Sequence, residues 1–148
     1  MILIVFLVSC TGNTKTVTTS DKSLQVRGTW KLLTGTIINN GKTTVTHYTE
    51  NLSFIKIIND THFAFLQHDL TKGKDSLASF SAGGGRYSLK DSTYTEHLEY
   101  CSAREWEGNE FSFTITVKND TLIQKGIEKV ESAGVNQINI EKYIRLKN

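Results

Sequence analysis

Residues 110–127, EFSFTITVKNDTLIQKGI, contain two runs of alternating apolar and polar residues on either side of Lys118-Asn119-Asp120. Alternation with a period of two places successive side chains on opposite faces, which is typical of a β-strand with one buried face. Asn and Asp tolerate the backbone geometry of a tight turn. The stretch therefore predicts an antiparallel hairpin made of the strands 110–117 and 121–127.

The same alternation recurs along the rest of the chain, and no stretch shows the period of an amphipathic helix. Further strands are predicted at residues 29–38, 43–50, 52–58, 61–68, 77–82, 86–89, 93–100 and 137–146. The run Gly83-Gly84-Gly85 predicts a bulge or a sharp bend. We therefore expect an all-β, antiparallel up-and-down β-barrel of about 8–10 strands, because closure removes exposed sheet edges, with a two-sheet sandwich as the alternative.

The first ten residues, MILIVFLVSC, are apolar up to Val8 and end in a cysteine, after which the chain becomes polar. The segment Leu7-Val8-Ser9-Cys10 resembles the lipobox of bacterial lipoprotein precursors, which implies cleavage before Cys10 and lipidation of that cysteine. No Lys or Arg precedes the apolar run, although signal peptides normally begin with a positive patch. We therefore expect the natural start of the protein to lie upstream of Met1.

These features divide the chain into three predicted segments: a signal peptide over 1–9, the lipidated cysteine with a flexible tether over 10–25, and a barrel domain over 26–148. The resemblance to lipoproteins implies anchoring in the cell envelope through lipid. Thr11 stands where many inner-membrane lipoproteins carry an aspartate. The resemblance therefore implies the outer membrane, with the domain facing the periplasm.

The formal net charge of +2 indicates neither a nucleic-acid surface nor an acid-seeking partner. If Cys10 is lipidated, Cys101 has no disulfide partner, and we interpret it as a small buried hydrophobe. The four histidines lack the spacing of a metal site, and no nucleophile elbow occurs. We expect no metal, no cofactor and no nucleic-acid partner.

Gly28-Thr29-Trp30 opens the first predicted strand, and Arg145 lies in the last one. This resembles the lipocalin signature, in which an arginine from the final strand lies over the tryptophan of a Gly-x-Trp motif. The resemblance implies that Gly28, Trp30 and Arg145 meet where the barrel closes. A guanidinium over an indole contributes about 0.5–2 kcal/mol.

A second resemblance rests on Gly84-Gly85-Arg86-Tyr87-Ser88-Leu89 and the segment TYTEHLEY at 93–100. A hairpin with Gly and Tyr, followed by Tyr-x-Glu, is similar to the small lipocalin-like lipoproteins of Bacteroidetes. That family has no settled activity, so the resemblance implies a barrel fold and a location in the cell envelope, and it implies no particular reaction.

The alternation along 86–100 predicts an inward face that carries a carboxylate among aromatic rings. Together with the aromatic face of 110–117, it defines the candidate ligand-binding residues Tyr87, Tyr94, Glu96, Tyr100, Phe111 and Phe113. A buried carboxylate requires a partner or a raised pKa. Glu96 therefore either orients a ligand or belongs to a structural network that sets the register of the hairpin.

The function expected from these features is binding of a small apolar or amphipathic ligand inside the barrel. One alternative is an interaction or inhibitor protein of the envelope, whose protein partner binds the predicted loops 69–76, 101–108 and 128–136. A second alternative is an enzyme that uses Glu96 and Tyr94 as an acid–base pair.

Overall fold

The computed structural model of the protein describes residues 25–74, 76 and 78–147. The strands are β1 (Gly28–Asn39), β2 (Lys42–His47), β3 (Leu52–Ile58), β4 (His62–Asp69), β5 (Phe80–Lys90), β6 (Thr93–Cys101), β7 (Glu110–Lys118), β8 (Thr121–Val130) and β9 (Val135–Arg145). Two short 3-10 helices cover Arg104–Trp106 and Glu131–Ala133. The predicted signal peptide, Cys10 and the tether as far as residue 24 lie outside the described residues.

The strands form one antiparallel sheet that closes on itself, because β1 pairs with β9 as well as with β2 and β3. Eight strands, β1 and β3 to β9, make the ring, while β2 pairs with the far half of β1. The predicted antiparallel up-and-down barrel is therefore confirmed. The sandwich is excluded, since a continuous hydrogen-bonded ring leaves no second sheet.

The hairpin predicted at 110–127 is present as β7 and β8. Val117 lies opposite Leu122, and Lys118 lies opposite Thr121. Asn119 adopts a positive φ of 54° in the turn between them. This is the left-handed backbone that Asn tolerates better than most residues, so the local sequence suffices to set this turn.

Gly83-Gly84-Gly85 lies inside one continuous strand, β5, and the predicted division into 77–82 and 86–89 is wrong. Gly84 pairs with Tyr100 while Gly85 pairs with Leu98, so that β6 carries one extra residue, Glu99, at this point. A Cβ on Gly85 would collide with the carbonyl oxygen of His97. The predicted bulge is thus confirmed, and glycine is what allows the two backbones to approach.

The predicted loop 128–136 is mostly strand. The β8–β9 ladder continues through the pair Val130–Val135, which leaves a connection of only 131–134. Glu128 is polar and falls in the predicted loop for that reason, whereas Gln137 is the first residue of the predicted last strand. They face each other across the ladder and form a side-chain hydrogen bond of 2.9 Å. An inward polar face, rather than solvent, explains their composition.

The core fills the half of the barrel where β1 begins. Its largest fully buried side chains are Trp30, Tyr94, Tyr143, Phe113 and Leu32. Among the described residues, no helical segment is long and apolar enough to span a bilayer.

Candidate functional site

One end of the barrel is sealed around Trp30, which is fully buried. The guanidinium of Arg145 lies 4.0 Å from the centre of the Trp30 ring and donates to the carbonyl oxygen of Arg27. The indole nitrogen donates to the carbonyl oxygen of Val26 at 2.7 Å. Gly28 has a φ of 131°, and a Cβ there would lie 2.6 Å from the Arg145 guanidinium. The Gly-x-Trp spacing therefore makes room for the arginine.

The space next to this seal is packed. Ile58, Ile115 and Leu122 surround the Tyr94 ring and leave no room for a water molecule between them. The Tyr94 hydroxyl is buried without a hydrogen bond of standard geometry among the described residues. Burial raises the pKa of Tyr94 well above its ordinary value, and the negative charge of Glu96 adds to that rise. This end of the barrel serves stability.

The other half of the barrel contains a partly open cavity of about 220 Å³. Aromatic rings form much of its wall: Phe54 and Phe65 stack with centroids 5.7 Å apart, and Trp106 lies 5.8 Å from Phe111. The remaining wall residues are Ser81, Leu98, Cys101, Ala103 and Phe113, and the polar ones are Lys56, Glu96, Gln124, Glu128 and Glu141.

A buried lysine organises the floor of the cavity. The Lys56 ammonium donates to the Glu96 carboxylate at 2.7 Å and to the side-chain oxygen of Gln124 at 3.0 Å. A second carboxylate, that of Glu141, lies 3.8 Å away. The side chain of Lys56 is only 4% exposed. Burial of an ion pair is costly, but breaking one by removing a single partner costs more.

The remaining two carboxylates are held by neutral donors. Tyr143 donates its hydroxyl to Glu141 at 2.7 Å. Glu128 accepts from the amides of Gln137 at 2.9 Å and Asn139 at 2.8 Å. No Lys, Arg or His nitrogen among the described residues lies within ion-pair distance of the Glu128 carboxylate. Within the same residues, no group of three or more side chains is placed to hold a metal ion.

The ionisation of this cluster follows from burial and from mutual charge. Burial raises the pKa of Glu96 above its ordinary value, and the Lys56 ammonium offsets only part of that rise. Burial lowers the pKa of Lys56, but the carboxylates of Glu96 and Glu141 outweigh it, so the pKa is raised. Burial also raises the pKa of Glu128, against the hydrogen bonds from its two amide partners. Lys56 therefore stays protonated.

Three of the six predicted ligand-binding residues, Glu96, Phe111 and Phe113, line the cavity. Tyr94 lies beneath it in the packed end. Tyr87 contacts Tyr94, with ring centroids 5.1 Å apart, and donates its hydroxyl to the Asn59 carbonyl oxygen in the turn after β3. The two tyrosines belong to the sealed half.

The inward orientation predicted for Tyr100 is wrong, since this residue is 69% exposed. The bulge at Glu99 shifts the alternation of β6 by one residue. Leu98 and Cys101 face the cavity as a result, and Tyr100 faces outward beside Gly84. Period-two reasoning holds only up to the inserted residue.

Four polar residues of the cavity were not predicted as site residues from the sequence: Lys56, Gln124, Glu128 and Glu141. A signal existed for Lys56, which shares the parity of Phe54 and Ile58 on an otherwise apolar face. Glu141 likewise shares parity with Tyr143. For Glu128, the alternation of 121–127 extended by one step would have placed the side chain inside.

No family model matches this sequence, and no curated protein matches it. Among solved structures, the chain is similar to a mutant of the fluorescent protein UnaG, with 9% identity, 84% of this chain and 99% of that chain covered, and a TM-score of 0.39. The structure does show a closed up-and-down barrel in which Arg145 lies over Trp30, the arrangement predicted from the Gly-x-Trp motif. The resemblance to Bacteroidetes lipoproteins stays a prediction.

Proposed function

We propose that this protein is a lipid-anchored envelope protein whose barrel binds a small amphipathic ligand. The observation that carries the proposal is the cavity of about 220 Å³ with aromatic walls and a polar floor. Small-molecule sites combine an apolar lining with a few placed polar groups in this way. The volume lies below the usual range of about 300–1,000 Å³, so the ligand is compact.

The two kinds of wall define how such a ligand lies. Its apolar body packs against the stacked rings of Phe54 and Phe65 and against Trp106, which line the same cavity. Its polar group contacts Gln124 or Glu128, which line the same space. The floor is preorganised by the Lys56 network, so little side-chain ordering is needed on binding.

Binding is tested by fluorescence, because Trp106 lines the cavity whereas Trp30 is sealed away. A library of compact aromatic compounds is titrated into the wild-type protein and into Ala103→Phe, which fills the cavity from its wall. Thr114→Phe, an exposed position on β7, is the matched control. Hits should be lost in Ala103→Phe and kept in Thr114→Phe. Equal binding to both variants places the ligand elsewhere.

The anchor part of the proposal is supported by the lipobox-like segment Leu7-Val8-Ser9-Cys10 and the polar residues that follow it. Metabolic labelling with an alkyne-bearing fatty acid should mark the wild-type protein and leave Cys10→Ser unmarked, with Cys101→Ser as the matched control. Fractionation should then place the protein in the outer membrane. Labelling that survives Cys10→Ser contradicts the anchor.

The enzymatic alternative needs Glu96 and Tyr94 to reach one ligand. Glu96 is engaged by Lys56, and the Tyr94 hydroxyl lies in the packed end rather than in the cavity wall. The geometry therefore favours binding over acid–base chemistry at this pair. An envelope protein that binds the loops remains a prediction, for which pull-down with loop variants is the test.

A further inference from the structure

The charges that line the cavity narrow the chemistry of its ligand. We propose that the cavity takes a compact organic cation, an amine or quaternary ammonium group on an aromatic or apolar body. This inference rests on the proposed ligand-binding function and assigns a charge to the ligand, which neither the fold nor the aromatic walls do.

The first argument is the charge balance of the wall. Three carboxylates, Glu96, Glu128 and Glu141, line the cavity together with a single ammonium, that of Lys56. With all four groups ionised, the formal excess is two negative charges, and the side chains of Lys56, Glu96 and Glu141 are at most 13% exposed. Coulomb interactions are stronger there than at an exposed surface, so a ligand cation gains and a ligand anion loses.

A second observation is that the Lys56 ammonium is already surrounded by acceptors. It donates to Glu96 at 2.7 Å and to Gln124 at 3.0 Å, and the Glu141 carboxylate lies 3.8 Å away as an ion-pair partner. An anionic ligand would have to displace one of these acceptors and leave it buried without a partner. Such a replacement is costly for a carboxylate in a shielded site.

The third argument is the position of Glu128. It lies four residues further along β8 than Gln124, opposite Gln137, and thus further from the Trp30 seal. Its two hydrogen bonds come from neutral amides, which orient the carboxylate without cancelling its charge. A ligand ammonium beside Glu128 would supply the counter-charge that the described residues do not.

The aromatic wall agrees with the same chemistry. Aromatic rings attract cations over their faces, and quaternary ammonium ligands are commonly held this way. Phe54, Phe65 and Trp106 line the cavity that Glu128 borders. An aryl-ammonium compound could therefore place its ring against these walls and its charge at the carboxylate.

The carboxylates of the cluster also raise the pKa values of two nearby tyrosines. Burial raises the pKa of Tyr48 at the upper part of the barrel, and the charges of Glu141 and Glu128 raise it further. Burial and then Glu141 act in the same direction on the pKa of Tyr143. Tyr143 is itself hydrogen-bonded to Glu141, whereas Tyr48 is affected by the charges of both carboxylates.

The test compares probes of similar shape and different charge: phenethylammonium, 2-phenylethanol and 3-phenylpropanoate. Calorimetry and Trp106 fluorescence measure their affinities for the full chain at neutral pH and low salt. We expect the cation to bind about tenfold more tightly than the alcohol, and the anion more weakly than both. Binding of the anion at or above the affinity of the cation overturns the inference while the ligand-binding function stands.

Two variants sharpen the test. Glu128→Gln removes one cavity charge and should bring the affinity for the cation close to the affinity for the alcohol. Glu105→Gln changes an exposed residue on the connection after β6 and should leave the ratio of the two affinities unchanged. If Glu128→Gln does not fold, Ser81→Lys introduces a cation at the cavity wall and should reverse the preference. An unchanged preference in a folded variant contradicts the inference. Failure of all three probes to bind contradicts the proposed function as well.

Discussion

One end of the barrel is an apolar core and the other end is a cavity lined by charged groups, and the β8–β9 ladder runs through both. Near the seal, the facing pair Leu122 and Tyr143 is buried in the apolar core. Further along the same two strands, Gln124 faces Glu141 and Glu128 faces Gln137. One hairpin therefore contributes a dry core at one end and an acidic lining at the other.

The difference teaches where stability and binding reside. At the sealed end, apolar burial and the Arg145–Trp30 contact act in favour of folding. At the cavity end, three carboxylates line the interior and only one lysine is present to pair with them. Burial of carboxylates without a matching number of cations opposes folding. Binding sites commonly carry such a cost in stability. Variants at the two ends should thus differ in size, and removal of the Glu128 charge should differ in sign from a truncation at the seal.

The largest effect is expected at the seal. Trp30→Ala removes the fully buried indole and the surface on which Arg145 lies, and should destabilise the protein by about 3–5 kcal/mol. Urea unfolding followed by circular dichroism measures the loss. Phe111→Leu, a smaller change in the cavity wall, is the control and should cost much less. Equal losses would remove the contrast between the two ends.

The next effect is expected at Lys56. Lys56→Met keeps most of the volume but leaves the Glu96 carboxylate buried without its ammonium, and should destabilise the protein by about 3 kcal/mol at pH 7. The loss should shrink on acidification, because Glu96 can then be protonated. Urea unfolding at pH 7 and pH 4.5 measures both.

The double variant Lys56→Met with Glu96→Gln tests the cause of that loss. Removing both charges should recover a large part of the stability, since no unpaired ion remains. If the double variant is as unstable as Lys56→Met, packing rather than charge explains the effect.

The smallest effect is expected at Glu128, where the substitution should stabilise the protein instead of destabilising it. Burial raises the pKa of Glu128 in the folded protein above its ordinary value. The stability that goes with the protonated Glu128 carboxyl is therefore fully present below the pKa of this group in the unfolded chain. It is lost as pH rises through the pKa of the group in the folded protein. Glu128→Gln should stabilise the protein at pH 7, by about 1 kcal/mol, and have little effect near pH 4.

Thermal unfolding of Glu128→Gln and wild type from pH 4 to pH 8 follows this difference. The stabilisation should grow as pH rises, and Glu105→Gln should show no such trend. A constant difference at all pH values would mean that the amide changes packing instead of charge.

Most of the strands could be predicted from the sequence, because alternation and turn residues act within a few positions. The 118–120 turn is an example: Asn119 accommodates the positive φ, and Val117 and Leu122 become neighbours. The Gly28-x-Trp30 motif also pointed to Arg145, although only through resemblance. These features depend on local geometry or on one recognisable motif.

The cavity could be predicted only in part. Tyr100 was assigned to the inside because nothing local shows that Glu99 is inserted opposite Gly84 and Gly85. Glu128 was assigned to a loop because a polar residue usually marks solvent, and its partners Gln137 and Asn139 are known only from the ladder.

The amino-acid sequence by itself determined most of the strands, the turn at 118–120 and the aromatic face of β7, and the lipid anchor at Cys10 stays a prediction from it. Only the tertiary structure decided which polar groups share the interior. Lys56, Glu96 and Glu141 come from three strands that are far apart in the chain. Closure of the ring brings both carboxylates within 4 Å of the Lys56 ammonium. The physical reason is that alternation assigns each side chain to a face, whereas charge balance depends on which faces meet.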